Sequence, residues 1–332
     1  VLKPSRPTIY DVATRAGVSK SLVSLVLRDP DSVSERRRLA VLEAIEELGY
    51  RPSAAAASLA GTRTRTVGMV VEDFANLWFV DLLHGMREAL EPHGMQVLMG
   101  DRRMSMAPGR DAIDAFVSMR VEALVLALDP PDDLGNLHGI PTLVAGERGV
   151  QPAGIPKVAN DDVAGARLAT RHLIDLGHTT IVHVTGVGGA ARVRRESYEA
   201  MMEEAGLTPI VVGHGGDTGE ADAATAARTL FAERDDVTAV FAANDAMGLG
   251  VMGALREKGL SVPEDVSVVG YDNSPMSQAS YVQMTTVDDR SADVGREAAA
   301  LILGMIDGSV TEPSTLLLDP SLVDRSTTRR LR

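Results

Sequence analysis

Apolar positions early in the chain recur at helical spacing, and the spacing predicts three short helices. Thr8 can cap the first, with Ile9, Val12, Ala13 and Ala16 on one face. Gly17 breaks it, and Ser19 can cap a second helix from Lys20 to Arg28. The third starts after Ser34, carries Leu39, Leu42, Ile45 and Leu48, and stops at Gly49, a residue type favoured just past a helix end. Residues 53–60 are alanine-rich, with high helix propensity but too short to hold a helix alone in water. Residues 62–66 are polar and basic, in the manner of a linker.

From Thr66 the period changes. Short apolar runs alternate with amphipathic segments, first at residues 67–71, 96–99, 121–128 and 142–145. A second series follows at 180–185, 210–212, 238–242 and 266–270. A helix is predicted near 78–93 with Phe79, Leu82, Leu83, Met86 and Leu90 inward, and others near 162–176, 191–205, 220–233 and 244–258. Near-continuous apolar strands alternating with helices indicate parallel sheets covered on both faces. Two series imply two α/β lobes, with a ligand at the carboxyl ends of the strands in the cleft between them.

Composition sharpens this picture. The 332 residues carry a formal net charge of -13, which taken whole counts against nucleic acid as a partner. The distribution is uneven. Residues 1–65 hold 11 Lys/Arg against 7 Asp/Glu, and residues 66–332 hold 22 against 39, so a head at +4 precedes a body at -17. There is no cysteine, hence no disulfide and no thiolate site. No secretory-type apolar run opens the chain, and no run is long enough to span a membrane, so a cytoplasmic protein with no membrane partner is expected.

The helix–Gly17–helix unit could be a simple packed corner. A wheel of the second helix puts Val23, Val26 and Leu27 on one side and Lys20, Ser21, Ser24, Leu25 and Arg28 on the other. Short polar residues and cations on an exposed face suit base edges and phosphates in a major groove. Leu25, flanked by Leu22, would meet a thymine methyl. Leu59, the large apolar residue of the alanine-rich stretch, could be either linker or a minor-groove wedge.

These features, in this order, resemble the lac repressor (LacI/GalR) family of transcription regulators. The matching stretches are Thr8-Ile9-Tyr10-Asp11-Val12-Ala13, Ala16-Gly17-Val18-Ser19, Val23-Ser24 and residues 45–52 in the head, and 174–178, 241–250 and 262–272 in the body. The resemblance implies an α/β fold: a two-lobed periplasmic-binding-protein-like body of two parallel-sheet, Rossmann-like lobes, preceded by a small all-α helix-turn-helix head. The implied boundaries are 8–52 for the head, 53–64 for a hinge helix and linker, and 65–328 for the body. Within the body one lobe takes 65–160 plus 289–317 and the other 161–288 plus 318–328.

The resemblance also implies roles. Lys20 and Ser21 take the main base-reading positions; Leu22 and Leu25 stand where the family usually has Thr and often has Arg. Thr8, Ile9, Ser24, Arg28 and Tyr50 complete the expected DNA contacts, and Leu59 is the hinge leucine that opens the centre of a palindromic operator. The effector site is expected at Phe74, Trp78, Arg194, Thr218, Asn244 and Asp272. Trp78 is either a core residue or a flat wall for a ring, and Arg194 either clasps ligand hydroxyls or joins Arg192 and Arg195 in a solvated patch. Asp245 is expected to cap its helix, and Asp272 to accept hydroxyl hydrogens as a carboxylate. Asp161-Asp162 stands where the family has Asp-Asn, and Thr218 where many members have an aromatic.

The expected protein is a homodimeric, effector-controlled regulator, a repressor in its simplest form, on double-stranded operator DNA. A sugar is the favoured effector and a purine the alternative; no cofactor is expected. The chain closes without a long heptad helix, which favours a dimer over a tetramer. Two rivals are weighed. Gly186-Val-Gly-Gly-Ala-Ala191 matches the dinucleotide fingerprint of an oxidoreductase, but the acid that should end the next strand is absent at Val212-Gly213-His214. A transport solute-binding protein would share the body, but would carry a signal peptide and no basic head.

Overall fold

A computed structural model describes residues 7–50, 63–102, 112–130, 134, 137, 139–149 and 151–331, with the side chain of Arg28 excepted. The chain divides into two compact units, residues 1–64 and 65–332.

The first unit holds α1 (Ile9–Ala16), α2 (Lys20–Arg28) and α3 (Glu35–Leu48). Its ends follow the sequence. Thr8 forms a capping box with Asp11, Ser19 accepts from the Leu22 N–H, and Gly17 and Gly49 close α1 and α3 in the left-handed conformation. The core is Val12, Ala13, Val23, Val26, Val41, Ala44 and Tyr50, with Ile9, Ile45 and Leu48 packed against it. Two expectations are corrected here. Leu39 and Leu42 are exposed, because α3 turns its Val41–Ala44–Leu48 stripe inward instead. Leu27, placed on the inner side of α2, is exposed as well.

The second unit is built on two six-stranded sheets. The first comprises β1 (Thr66–Val71), β2 (Gln96–Asp101), β3 (Ala123–Ala127), β4 (Thr142–Ala145), β5 (Lys157–Asn160) and β11 (Thr315–Leu318), in the order β11-β5-β4-β3-β1-β2. All of its pairings are parallel. The second comprises β6 (Ile181–Val184), β7 (Ile210–Val212), β8 (Ala239–Ala242), β9 (Ser267–Tyr271), β10 (Thr285–Asp288) and β12 (Ser321–Val323), in the order β12-β10-β9-β8-β6-β7. Here β12 runs antiparallel to β10 while the other pairs are parallel. This departs from two purely parallel sheets. The chain crosses straight from β11 to β12 through residues 319–320 and enters the second sheet at the carboxyl end of β10, Ser321 opposite Asp288, so its edge strand is reversed.

The helices of this unit are α4 (Trp78–Leu90), α5 (Ala112–Ser118), α6 (Asp162–Asp175), α7 (Gly189–Glu204), α8 (Glu220–Glu233), α9 (Asp245–Glu257), α10 (Pro275–Gln278) and α11 (Ser291–Asp307). The expected inward face of α4 is observed, with Phe79, Leu82, Met86 and Leu90 buried and Leu83 packed beside them. α11 lies against α4, and two glycines let the backbones meet. A Cβ on Gly85 would strike the Ala292 carbonyl, and one on Gly295 the Leu82 carbonyl. The chain crosses between lobes at residues 161, 289–290 and 319–320.

Within β6 of the second sheet, His183 is fully buried beside Tyr198 and Phe241 at ring separations of 5.2 and 4.6 Å. Its Nδ1 donates to the Phe241 carbonyl at 2.9 Å. Burial pushes its pKa down to about 3, with the Phe241 hydrogen bond working against it. The folded protein therefore leaves His183 neutral where the unfolded chain takes up a proton. Stability is lost as pH falls from about 6.5 towards 3, at up to about 1.4 kcal/mol per pH unit. His183→Phe should flatten that loss. Urea denaturation at pH 7 and 4.5 should show wild type losing about 2–3 kcal/mol more than the variant; equal losses would contradict a neutral buried His183.

Candidate functional site

A cavity of about 660 Å³ opens between the two lobes of the second unit. It is lined by segments that follow strands of both sheets, where parallel-sheet proteins converge their functional groups. Residues just after β1, β3 and β4 supply one wall, with the start of α4; residues just after β6, β7, β8 and β9 supply the other.

Arg194 organises the floor. It projects from the second turn of α7 and is buried. Its Nε donates to Asp162 Oδ1 at 2.6 Å, and its Nη1 to the Ala243 carbonyl at 2.6 Å and to Asp272 Oδ1 at 3.3 Å. The guanidinium lies 3.5 Å over the centre of the Tyr271 ring. Burial alone would pull its pKa down, but the carboxylates of Asp162 and Asp272 more than reverse this, so the cation is held firmly. Asp272 is pushed well above the usual carboxylate range by burial, with Arg194 opposing. Arg194 is thus the group that favours the ionised form of the acceptor expected at Asp272.

Asp272 also carries backbone strain. Its φ is 99° and that of Asn273 is 52°, both in the region that side chains other than glycine avoid. The turn is fastened from below by Asp245, whose Oδ2 accepts from the Ser274 N–H at 2.7 Å and Oδ1 from the Thr286 hydroxyl at 2.6 Å. This corrects the expectation that Asp245 caps α9. The cap is Asn244, whose Oδ1 accepts from the Met247 N–H at 2.7 Å while Nδ2 donates to the Thr218 carbonyl at 3.0 Å. Both ends of the Asn244 amide are therefore engaged within the protein.

Trp78 is a core residue that also borders the cavity. It is only 6% exposed and part of the core, yet it lines the cavity. Its Nε1 donates to Asp289 Oδ2 at 2.7 Å, and Arg148 lies 5.1 Å from its ring centroid. Thr218, Asn244, Arg194 and Asp272 line the same cavity. Phe74 does not: it is 40% exposed and absent from the lining, its N–H held by Asp101 Oδ2 at 2.7 Å. Of the neighbouring arginines, Arg192 is exposed and pairs with Glu196 at 3.1 Å, so it belongs to the solvated face. The glycine loop that suggested a nucleotide lines the cavity at residues 187–191, but Gly189 packs against the backbone of Arg148 and Gly149.

Sequence reasoning passed over Asp162, Asn160, Arg148 and Asp289. Asp162 was noted only as a carboxylate where the family has an amide. Asn160 and Arg148 both lie at or just beyond a strand's carboxyl end, a position that could have marked them. Nothing local marked Asp289, whose partner Trp78 is over two hundred residues away.

In the head unit, Lys20 and Ser21 are exposed, and Ser24, Leu22 and Leu25 are half-buried. Thr8 spends its hydroxyl on the cap, donating to Asp11 Oδ2 at 2.7 Å. Ile9 packs on the core, and Tyr50 is a core residue at 8% exposure. Tyr10 was not anticipated: it is exposed, and the Lys20 ammonium lies 5.0 Å from its ring centroid. Leu59 and residues 53–62 of the expected hinge lie outside the described residues.

Residues 8–53 match the family model for bacterial regulatory proteins of the lacI family, and residues 170–328 match that for a periplasmic binding protein-like domain. The HTH-type transcriptional regulator CelR of Thermobifida fusca is 36% identical, over 96% of this chain and 98% of its own. The chain belongs to the lacI family. The HTH-type transcriptional repressor PurR of Vibrio atlanticus is 34% identical, over 98% of this chain and 99% of its own. Among solved structures, the lac repressor dimer bound to operator and the anti-inducer ONPF superposes with a TM-score of 0.81 at 28% identity, covering 98% of this chain and all of that one. A CelR–cellobiose complex superposes with a TM-score of 0.71 at 33% identity, covering 97% and all of that chain. These relatives are named transcription regulators, not enzymes. The lacI-family fold, a helix-turn-helix head on a two-lobed α/β body, is the fold of this chain.

Proposed function

We propose that this lacI-family regulator is a homodimeric, cytoplasmic repressor of a pseudo-palindromic operator, controlled by a polyhydroxylated ligand in the inter-lobe cleft. The observation that carries the ligand reading is the buried Arg194–Asp162–Asp272 cluster at the carboxyl ends of the strands. Fixed donors and acceptors of this kind suit hydroxyls, which both give and take hydrogen bonds. The domain limits follow the same division: head 8–52, hinge 53–64, and lobes exchanging segments near 160, 289 and 318. One head per protomer would read one half-site, with Lys20 and Ser21 at the groove and Leu59 as the central wedge.

A sugar is favoured over a purine because the cleft presents fixed charged and hydrogen-bonding groups, while the Trp78 ring on its lining is approached by Arg148 and has its indole N–H taken by Asp289. The cellobiose bound by the CelR relative supports a sugar; the operator-bound dimer of the lac repressor supports two-fold DNA recognition. Ligand binding would reorient the lobes and alter operator affinity by a coupling of about 1–3 kcal/mol.

The test is Asp272→Ala. Operator binding without ligand should stay measurable, and the shift produced by ligand should vanish. A thermal-shift screen of sugars supplies the ligand, and a normal shift in the variant would remove Asp272 from the site.

A further inference from the structure

The cleft has a sign. Among the described residues that line it are nine carboxylates and three arginines. Each arginine already has protein partners. Arg102 donates to Glu72 Oε2 and to the Asp129 carbonyl at 3.3 and 3.4 Å, Arg148 to the Ala145 carbonyl at 3.0 Å, and Arg194 to Asp162 and Asp272. The floor is more acidic still, because Asp289 lies behind it, bound to Trp78. Burial, with the charge of Asp162 adding to it, pushes Asp289 up to about 7 even though Arg194 works the other way.

A second observation points to what the floor holds. Asp162 is 3% exposed, and while its Oδ1 takes Arg194, its Oδ2 is buried and makes no well-formed hydrogen bond; the Tyr271 hydroxyl, which makes none either, interacts with Asp162 without satisfying it. Asn160, 2% exposed and also on the lining, has a buried Nδ2 without an acceptor. Buried polar atoms in a folded protein are ordinarily paired. The two lie on either side of a crossing between lobes, one offering an acceptor and the other a donor.

We propose that the cleft selects a hydroxylated ligand with no negative charge, which gives a hydroxyl or protonated-amine hydrogen to Asp162 Oδ2, and that the phosphorylated or carboxylated form of the same ligand is excluded. This rests on the effector reading above. An anion would enter a low-dielectric space already rich in carboxylates, whose three cations are committed. A neutral polyol supplies the missing donor and accepts from Asn160 without adding charge. The molecule sensed is then the form that precedes any phosphoryl transfer to the sugar, or any oxidation of it to an acid.

Calorimetric titration of the full chain with matched pairs tests this: cellobiose and cellobionate, glucose and glucose 6-phosphate, ribose and ribose 5-phosphate. In any pair whose neutral member binds, the anion should bind about 100-fold more weakly. Asp162→Asn, which keeps the size of the side chain and one acceptor oxygen, should narrow that ratio by about tenfold. An anion within threefold of its neutral partner overturns the inference and leaves the effector reading intact. So does an unchanged ratio in a folded Asp162→Asn protein. Binding of no sugar in any form overturns both.

Discussion

Arg194→Met is expected to abolish the effector response and to destabilise the body by about 3–5 kcal/mol. The methionine fills similar volume but leaves Asp162 and Asp272 without the cation that both contact. Removing one member of a buried ion pair costs more than the pair itself contributes, because the remaining charge stays buried and uncompensated. Three acids are affected at once, since Arg194 also opposes the rise at Asp289. Urea denaturation gives the stability loss, and operator titration with and without ligand gives the response. Arg194→Lys should fall between, because an ammonium keeps the charge but cannot reach Asp162, Ala243 and Asp272 with one planar fork. A loss below about 1 kcal/mol in Arg194→Met would mean the cluster is not the electrostatic keystone described above.

Gly189→Ala is expected to weaken ligand binding by about 10- to 100-fold while leaving each lobe folded. Gly189 opens α7 in one lobe, and the backbone of Arg148 and Gly149 follows β4 in the other. A Cβ at Gly189 would strike the Gly149 amide nitrogen and lie 2.7 Å from Arg148 Cα. Both obstacles are backbone, so the lobes must part to make room. Strain of about 1–3 kcal/mol would then oppose the closed cleft and appear as lost affinity. Gly189 does not have a positive φ, so alanine adds no conformational penalty of its own. Calorimetry reports the affinity, and small-angle scattering reports whether the body has opened. Wild-type affinity in this variant would show that the contact does not belong to the ligand-binding state.

Much of the body was legible in the sequence for a simple reason. Strands buried on both faces are continuous apolar runs, and β4, β7 and α8 were read to their observed ends. Four strands escaped: β5, β10, β11 and β12. β5 begins at Lys157 and ends at Asn160, β10 is buried but made of two threonines, Val287 and Asp288, and β11 and β12 are exposed or half-buried, so none shows a continuous apolar run. On α3, Leu39 and Leu42 have core spacing, but so does the Val41 stripe, and only packing against α1 and α2 decides between them. At the site, residues that follow strands were found where the topology puts them. What the sequence could not reveal was pairing at long range. Asn244 and Asp245 are both good capping residues at adjacent positions. Thr286 and Ser274 decide which one turns inward. Trp78 reads equally as wall or core until Asp289 supplies its hydrogen-bond acceptor.

The exchange of segments between lobes bears on how the protein is made. Val294, Ala298, Ala299 and Ile302 of α11 belong to the same core as β1 and α4, and β11 completes the edge of that sheet beside β5. During synthesis, therefore, the amino-proximal lobe cannot close its core until nearly the whole chain has left the ribosome. The head, which draws on no later segment, can form at once. A nascent regulator would then hold a finished DNA-binding head long before it holds a finished ligand site. Its ability to find DNA would arrive before its ability to answer a ligand.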